Sequence, residues 1–227
     1  MQYQQVEAGR FLARPNRFIA QVEVNGQVET VHVKNTGRCR ELLVPGATVY
    51  LERSNNPKRK TQYDLIVVEK GSLLINMDAQ APNRLFAEWA QVGHFCPNLT
   101  TLRPETTWGT SRFDFYWEDS DGKRGFVEVK GVTLEEEGLA LFPDAPTERG
   151  VKHLRELAQC RAAGYEAAVC FVVQMAGRKG FSPNERTHPA FGAALRAAQK
   201  AGVEILVKGC TVERDSIAIT ETVPLCL

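Results

Sequence analysis

Phe126-Val127-Glu128-Val129-Lys130-Gly131 decides how this chain folds. The first five residues alternate aromatic or β-branched side chains with charged ones, the period-two pattern of a strand. That period sets Phe126, Glu128 and Lys130 on one face and Val127 and Val129 on the other. Gly131 ends the run. Upstream, Arg112-Phe113-Asp114-Phe115-Tyr116-Trp117 has the same strand character, and the polar segment from Glu118 to Arg124 contains Asp121-Gly122, a hairpin turn signal. Folding that hairpin brings Asp114 beside Glu128 and Lys130. Two carboxylates and an ammonium at one point suit a divalent metal and a phosphodiester: hard oxygens hold Mg²⁺ or Mn²⁺, and the lysine orients or deprotonates a water. The plainer alternative is an exposed hairpin whose polar face carries a cross-strand ion pair.

The 227 residues suffice for two small domains. Hydrophobic residues make up 43% and charged residues 24%, as in ordinary globular proteins. No apolar run approaches the roughly 18 residues that span a bilayer, and Met1 to Arg10 is too polar for a secretory signal. The expectation is a cytoplasmic protein without membrane association, its oligomeric state open. The six cysteines form no CxxC pair and no zinc spacing, so buried free thiols are expected. A net charge of +1 excludes a histone-like polyanion binder. Residues 1–80 nonetheless hold 11 Lys/Arg against 8 Asp/Glu, with the basic residues clustered. Arg10, Arg14 and Arg17 form one cluster, Lys34, Arg38 and Arg40 a second, and Arg53, Lys58, Arg59 and Lys60 a third. Three clusters in one small domain predict a phosphate-facing surface.

Residues 1–80 are expected to be all-β. Phe18 to Val24 and Val28 to Lys34 flank Asn25-Gly26 as a hairpin; Ala47 to Arg53, Tyr63 to Glu69 and Ser72 to Asn76 supply three more strands. Five strands with a basic surface predict an OB-type nucleic-acid-binding barrel, with an SH3-like barrel as the alternative. The usual OB helix between the third and fourth of these strands has no room. A second domain, 81–227, opens after Ala81-Pro82-Asn83. It is expected to hold a helix to about Gln91 and a short strand at Leu99 to Arg103, followed by the Asp114 and Glu128 strands. Next come a mobile acidic loop at Leu134 to Leu141, a helix from Thr147 to Ala163 with Asp144 as a candidate cap, and a buried parallel strand at Ala167 to Gln174. A helix from Phe191 to Ala201 and strands at Val203 to Val207 and Ser216 to Thr220 complete the reading.

An acidic residue followed on the next strand by Glu-x-Lys resembles the PD-(D/E)xK nuclease superfamily. Around that triad lie Gly131-Val132-Thr133, the run Phe142-Pro143-Asp144-Ala145-Pro146-Thr147-Glu148-Arg149-Gly150, and Lys152-His153-Leu154-Arg155-Glu156-Leu157. With Asn35-Thr36-Gly37 and Pro82-Asn83-Arg84-Leu85, they make the whole chain resemble the sugar fermentation stimulation protein A family. The resemblance implies a restriction-endonuclease-like αβββαβ domain behind the barrel. It also implies metal bound by Asp114, Glu128 and the Val129 carbonyl, and catalysis by Asp114, Glu128 and Lys130. Glu88, Glu105 and His153 are accessory candidates. Nucleic acid, DNA ahead of RNA, is the expected partner, met by Arg10, Arg14, Arg17, Arg38, Lys58, Arg59, Lys60, Arg149 and Lys152. The functional expectation is a DNA-binding protein with a metal-dependent nuclease site. The alternative is a non-enzymatic, largely sequence-nonspecific DNA-binding regulator linked to sugar metabolism.

Overall fold

The computed structural model describes residues 1–35 and 37–227. The N-terminal part is built on six strands: β1 (Val6–Asn16), β2 (Ile19–Val24), β3 (Gln27–Val33), β4 (Thr48–Arg53), β5 (Tyr63–Lys70) and β6 (Leu73–Asn76). They run in the order β3-β2-β1-β4-β5-β6, and a parallel pairing of β3 with β5 through His32 and Asp64 closes the first five into a barrel. This is the OB arrangement, and the SH3-like alternative falls away. The five barrel strands differ from the expected five. β1 is one of them, although residues 1–17 gave no strand signal, and β6 lies outside, paired to the end of β5. Counted with β1 included, the position of the customary helix is the segment between β3 and β4. A single turn stands there, in which the Leu42 and Leu43 N–H groups donate to the Cys39 carbonyl, and the buried Cys39, Leu42 and Leu43 plug the barrel end.

The C-terminal part begins with α1 (Ala81–Gln91) and continues through β7 (Leu99–Trp108), β8 (Ser111–Asp119), β9 (Arg124–Val132), α2 (Glu148–Ala162) and β12 (Glu166–Val173). This is the αβββαβ order expected. α3 (Pro189–Lys200), β14 (Glu204–Val212) and β15 (Ile217–Thr222) complete a six-stranded sheet in the order β15-β14-β12-β9-β8-β7. β12 lies parallel to both β9 and β14, and the other pairs are antiparallel. The apolar faces of α1 and of α2 with α3 cover opposite sides of this sheet: Val127 and Val129 join the core under α1, and Phe126 joins the other. The expected alternation of β9 therefore holds.

The segment expected to be a mobile loop is a hairpin, β10 (Leu134–Glu136) and β11 (Leu139–Phe142), and β11 pairs in parallel with β13 (Gly180–Pro183). Its turn takes Glu137 and Gly138 through positive φ. Glu135 ties it down with ion pairs to Lys70 and Arg178, at 2.8 and 3.2 Å. Thr147, not Asp144, caps α2: its hydroxyl accepts the Gly150 N–H at 3.0 Å. All six cysteines are free thiols, as expected, but only Cys39, Cys160, Cys170 and Cys210 are buried; Cys96 is half-buried and Cys226 exposed.

The two parts are joined by buried hydrogen bonds. Gln174, just past β12, donates from Nε2 to the Asn76 side chain and carbonyl and to the Asp78 carbonyl, all at 3.0–3.1 Å. The Asn76 N–H donates back to the Gln174 carbonyl at 3.0 Å. Gly131 is a glycine for this reason: a Cβ there would stand 2.6 Å from Gln174 Oε1 and 2.8 Å from Pro82.

Candidate active site

The site forms where the β8–β9 ladder opens. Backbone pairing runs from Glu118 opposite Arg124 to Phe115 opposite Val127 and then stops. One residue further along β8, Asp114 inserts its side chain into the gap, and Oδ2 accepts the Val129 N–H at 2.8 Å. A carboxylate thus takes the place of a ladder carbonyl. Since both polar groups of one residue in an extended strand face the same neighbour, the Val129 carbonyl faces this gap too. Oδ1 of Asp114 accepts from Asn83 Nδ2 at 2.9 Å, which ties the strand to the first turn of α1. Side-chain alternation slips at the same point. Phe113 packs under α2 against His153, while Phe115 packs under α1 against Phe86. The slip lets Asp114 turn toward Asn83.

Glu128 is almost fully buried, with 3% of its surface exposed. One oxygen, Oε1, receives both Lys130 Nζ and His153 Nδ1. A carboxylate only accepts, so His153 Nδ1 carries the proton. Nε2 of the same ring accepts from Arg149 Nε at 3.4 Å. The result is a directed chain from Arg149 through His153 to Glu128, held by residues four apart on α2. The other oxygen, Oε2, is buried and has no hydrogen-bond partner among the described residues.

Burial, and then the charge of Glu128, push the Asp114 carboxyl above its ordinary range, against the pull of Val129, Asn83 and Lys130. Burial acts on Glu128 in the same direction, but hydrogen bonds and charge from His153 and Lys130 outweigh it and hold that carboxyl low. The site therefore holds two unlike carboxyls: Glu128, held low by His153 and Lys130 through one oxygen, and Asp114, pushed up by burial and by the charge of Glu128.

Other expected site residues have other occupations. Glu88 holds the amino terminus of Met1 at 2.9 Å, and Glu105 pairs at the surface with Arg112 at 3.5 Å. Among the described residues no three His, Cys, Asp or Glu side chains gather as a metal-ligating group, so neither accessory acid completes one with Asp114 and Glu128. Lys152 donates to the Thr110 carbonyl at 3.2 Å. In the barrel Arg10 pairs with Glu23 and Arg59 grips Asp64, whereas Lys58 and Lys60 are exposed. Thr36, between Asn35 and Gly37, lies outside the described residues. The sequence reading missed Asn83 as a site residue. Its signal was present in Pro82-Asn83-Arg84-Leu85, but nothing local shows that its amide meets Asp114, 31 residues on.

A family model described as the sugar fermentation stimulation protein RE domain matches residues 80–216, and one described as the SfsA N-terminal OB domain matches residues 12–77. The chain belongs to the sugar fermentation stimulation protein family. A homolog of that protein from Desulfitobacterium hafniense strain Y51 is 60% identical over 217 residues, covering 96% of this chain and 94% of the relative. One from Clostridium beijerinckii is 51% identical over the whole of both chains. Among solved structures, Pyrococcus furiosus SfsA in complex with Ca²⁺ superposes with a TM-score of 0.90 at 27% identity, over 100% of this chain and 98% of that one. The family fold therefore extends over both domains.

Proposed function

We propose that this protein is a divalent-metal-dependent phosphodiesterase acting on nucleic acid, DNA ahead of RNA, with Asp114, Glu128 and Lys130 as its working groups. The observation that carries this reading is the buried, unpartnered Oε2 of Glu128 beside a carboxyl at Asp114 that lacks compensating charge. A buried carboxylate oxygen without a partner is costly, and a hard cation between the two carboxyls would offset that cost. The residues fit Mg²⁺ or Mn²⁺: Asp114, Glu128 Oε2 and the Val129 carbonyl would hold it. The Pyrococcus furiosus relative was solved with Ca²⁺, a cation of the same oxygen preference. When bound, such a cation lowers the pKa of a water and stabilises charge on a phosphoryl oxygen.

The protein's own groups account for the rest. Asn83 and the Val129 N–H fix the Asp114 carboxylate in one orientation. His153 does the same for Glu128, and by occupying Oε1 leaves Oε2 free to face the site. Lys130 Nζ carries the one ammonium on this face of β9, where it orients a water and stabilises charge developing on a scissile phosphate. The test is purified protein with Mn²⁺ or Mg²⁺ on labelled single-stranded, double-stranded and branched DNA and RNA. Cleavage abolished by chelation and strongly reduced by Lys130→Ala is expected. No cleavage of any substrate would favour the non-enzymatic DNA-binding regulator instead.

A further inference from the structure

A cavity of about 370 Å³ opens on the barrel, lined by Arg14, Asn16, Arg17, Gly37, Arg38 and Arg40 among others. Arg14 builds it. Its two Nη atoms donate to four carbonyls: Asn35 at 2.6 Å, Gly37 at 2.9 Å, Arg38 at 2.8 Å and Arg17 at 2.9 Å. One guanidinium thus clamps the turn after β1 to the loop after β3, and so brings Arg17 to the same cavity as Arg38 and Arg40. Elsewhere on the barrel Arg10 and Arg59 are neutralised by Glu23 and Asp64. Arg17, Arg38 and Arg40 are exposed, and among the described residues no carboxylate comes within ion-pair distance of them. Three convergent, unneutralised guanidiniums on a pre-formed frame suit phosphate oxygens, which planar N–H forks match in pairs.

Two neighbouring features say what carries the phosphate. Arg17 lies over the ring of Phe18, 5.0 Å from its centroid, and Phe18 is 48% exposed, the largest side chain among the exposed apolar residues. An exposed aromatic beside a phosphate pocket offers a platform to an unpaired base, which a duplex keeps inside its stack. The loop that lines this cavity at Gly37 also lines, at Asn35, a second cavity of about 120 Å³ that reaches Gly131, the residue after Lys130. The two cavities therefore share one loop between the barrel and the catalytic strand.

We infer that the arginine cavity and Phe18 together bind a single-stranded nucleic-acid segment, a phosphate on Arg17, Arg38 and Arg40 and the adjoining base on Phe18, and hold it on course for the Asp114–Glu128 site. This deepens the nucleic-acid reading above and rests on it. Arg14 belongs to the frame and Arg10 to an ion pair, so the informative change is Arg17→Ala, Arg38→Ala and Arg40→Ala together.

The test uses full-length protein, a fluorescein-labelled dT12 strand and the same strand paired with dA12, followed by anisotropy in EDTA across a salt series. The triple change is expected to weaken dT12 binding at least tenfold at low salt. It should flatten the log–log salt slope by about 0.7, the value for one phosphate of a single strand. Phe18→Ala is expected to weaken dT12 binding about tenfold at every salt concentration, and Phe18→Trp to restore it. All the altered side chains are exposed, so melting temperatures should match wild type and show that the variants are folded. Duplex binding as tight as strand binding, or an unchanged slope in the triple variant, overturns the inference. Cleavage with Mn²⁺ is scored separately. Strand binding that responds as described in a protein that cuts nothing supports the cavity and counts against the phosphodiesterase. Unchanged affinity in a protein that does cut counts against the cavity alone.

Discussion

Asp64, buried in the barrel, and Asp114, half-buried in the C-terminal sheet, are aspartates with opposite surroundings. Asp64 sits at the β3–β5 seam. It accepts from both Arg59 Nη atoms at 2.6 and 3.0 Å and pairs with His32 at 3.0 Å and Lys34 at 3.4 Å. Burial alone would raise its pKa, but Arg59, Lys34 and His32 outweigh it and hold the carboxyl at about 2. Asp114 receives two neutral N–H donors and a shared lysine, and its pKa goes up. The two lysines make the same contrast. Lys34 and Lys130 have equally buried side chains, yet Lys34 joins two carboxylates across the barrel and Lys130 sits beside one in the site. A structural ion network closes on itself; the candidate active site is left short of positive charge.

The largest effect that would break this contrast is on rate. Lys130→Ala is expected to lower cleavage by about 10²–10³-fold, the usual cost of losing one group that stabilises developing charge. DNA affinity should stay within about twofold, as measured by parallel cleavage and anisotropy assays. A variant that still cuts at the wild-type rate would place Lys130 with Lys34 as a structural residue.

Next in size is Asp64→Asn. It strands Arg59 and Lys34 without their shared carboxylate and is expected to cost about 3 kcal/mol, or about 6–12 °C in melting temperature. An unchanged melting curve would mean the seam does not depend on this network.

The pH dependence sharpens the same point. The folded Asp64 carboxyl lies at about 2, below its ordinary 3.8. The stability it contributes is therefore full above pH 4 and is lost as pH falls from about 4 to about 2. The total is about 2 kcal/mol. Denaturant titrations of wild type and Asp64→Asn across that window should converge toward its acid end. Parallel curves would contradict the assignment.

The smallest effect has the opposite sign. Asp114→Asn removes a repulsion with Glu128, so the metal-free variant should melt about 1–3 °C higher than wild type. Added Mn²⁺ should raise the melting temperature of wild type and leave the variant unmoved. A metal-free variant that melts lower than wild type would show Asp114 to be as fully compensated as Asp64.

The strands of the candidate site were legible because their signals are local. Phe126 to Lys130 alternates cleanly, Asp121-Gly122 marks the turn, and the apolar run ending at Val173 needs a strand buried on both faces. β1 was not legible. Its sequence, Val6 to Asn16, has no sustained alternation, and it bends through two register shifts against β2 while pairing with β4 on its other edge. Gly9 faces Val22 so closely that a Cβ would stand 2.5 Å from Cγ1. Such a strand is held by closure of the barrel, not by its own pattern. The β10–β11 hairpin was hidden because three consecutive acids, Glu135 to Glu137, mask its periodicity, while its anchors, Lys70 and Arg178, lie far off in sequence. At the site, Asp114, Glu128 and Lys130 are two residues apart or one hairpin apart and could be seen together. Asn83 and His153 join them from separate helices, which only the packed sheet brings near.

The joint made by Gln174, Asn76 and Asp78 has a further consequence. With the barrel and the C-terminal sheet locked by buried hydrogen bonds, the arginine cavity and the carboxylates stand at a fixed separation. A protein built this way is a ruler. If a strand seats in the cavity and is cut at the carboxylates as proposed, it would meet the second site after a set number of nucleotides, and fragment lengths would be counted out by the architecture, whatever the base sequence.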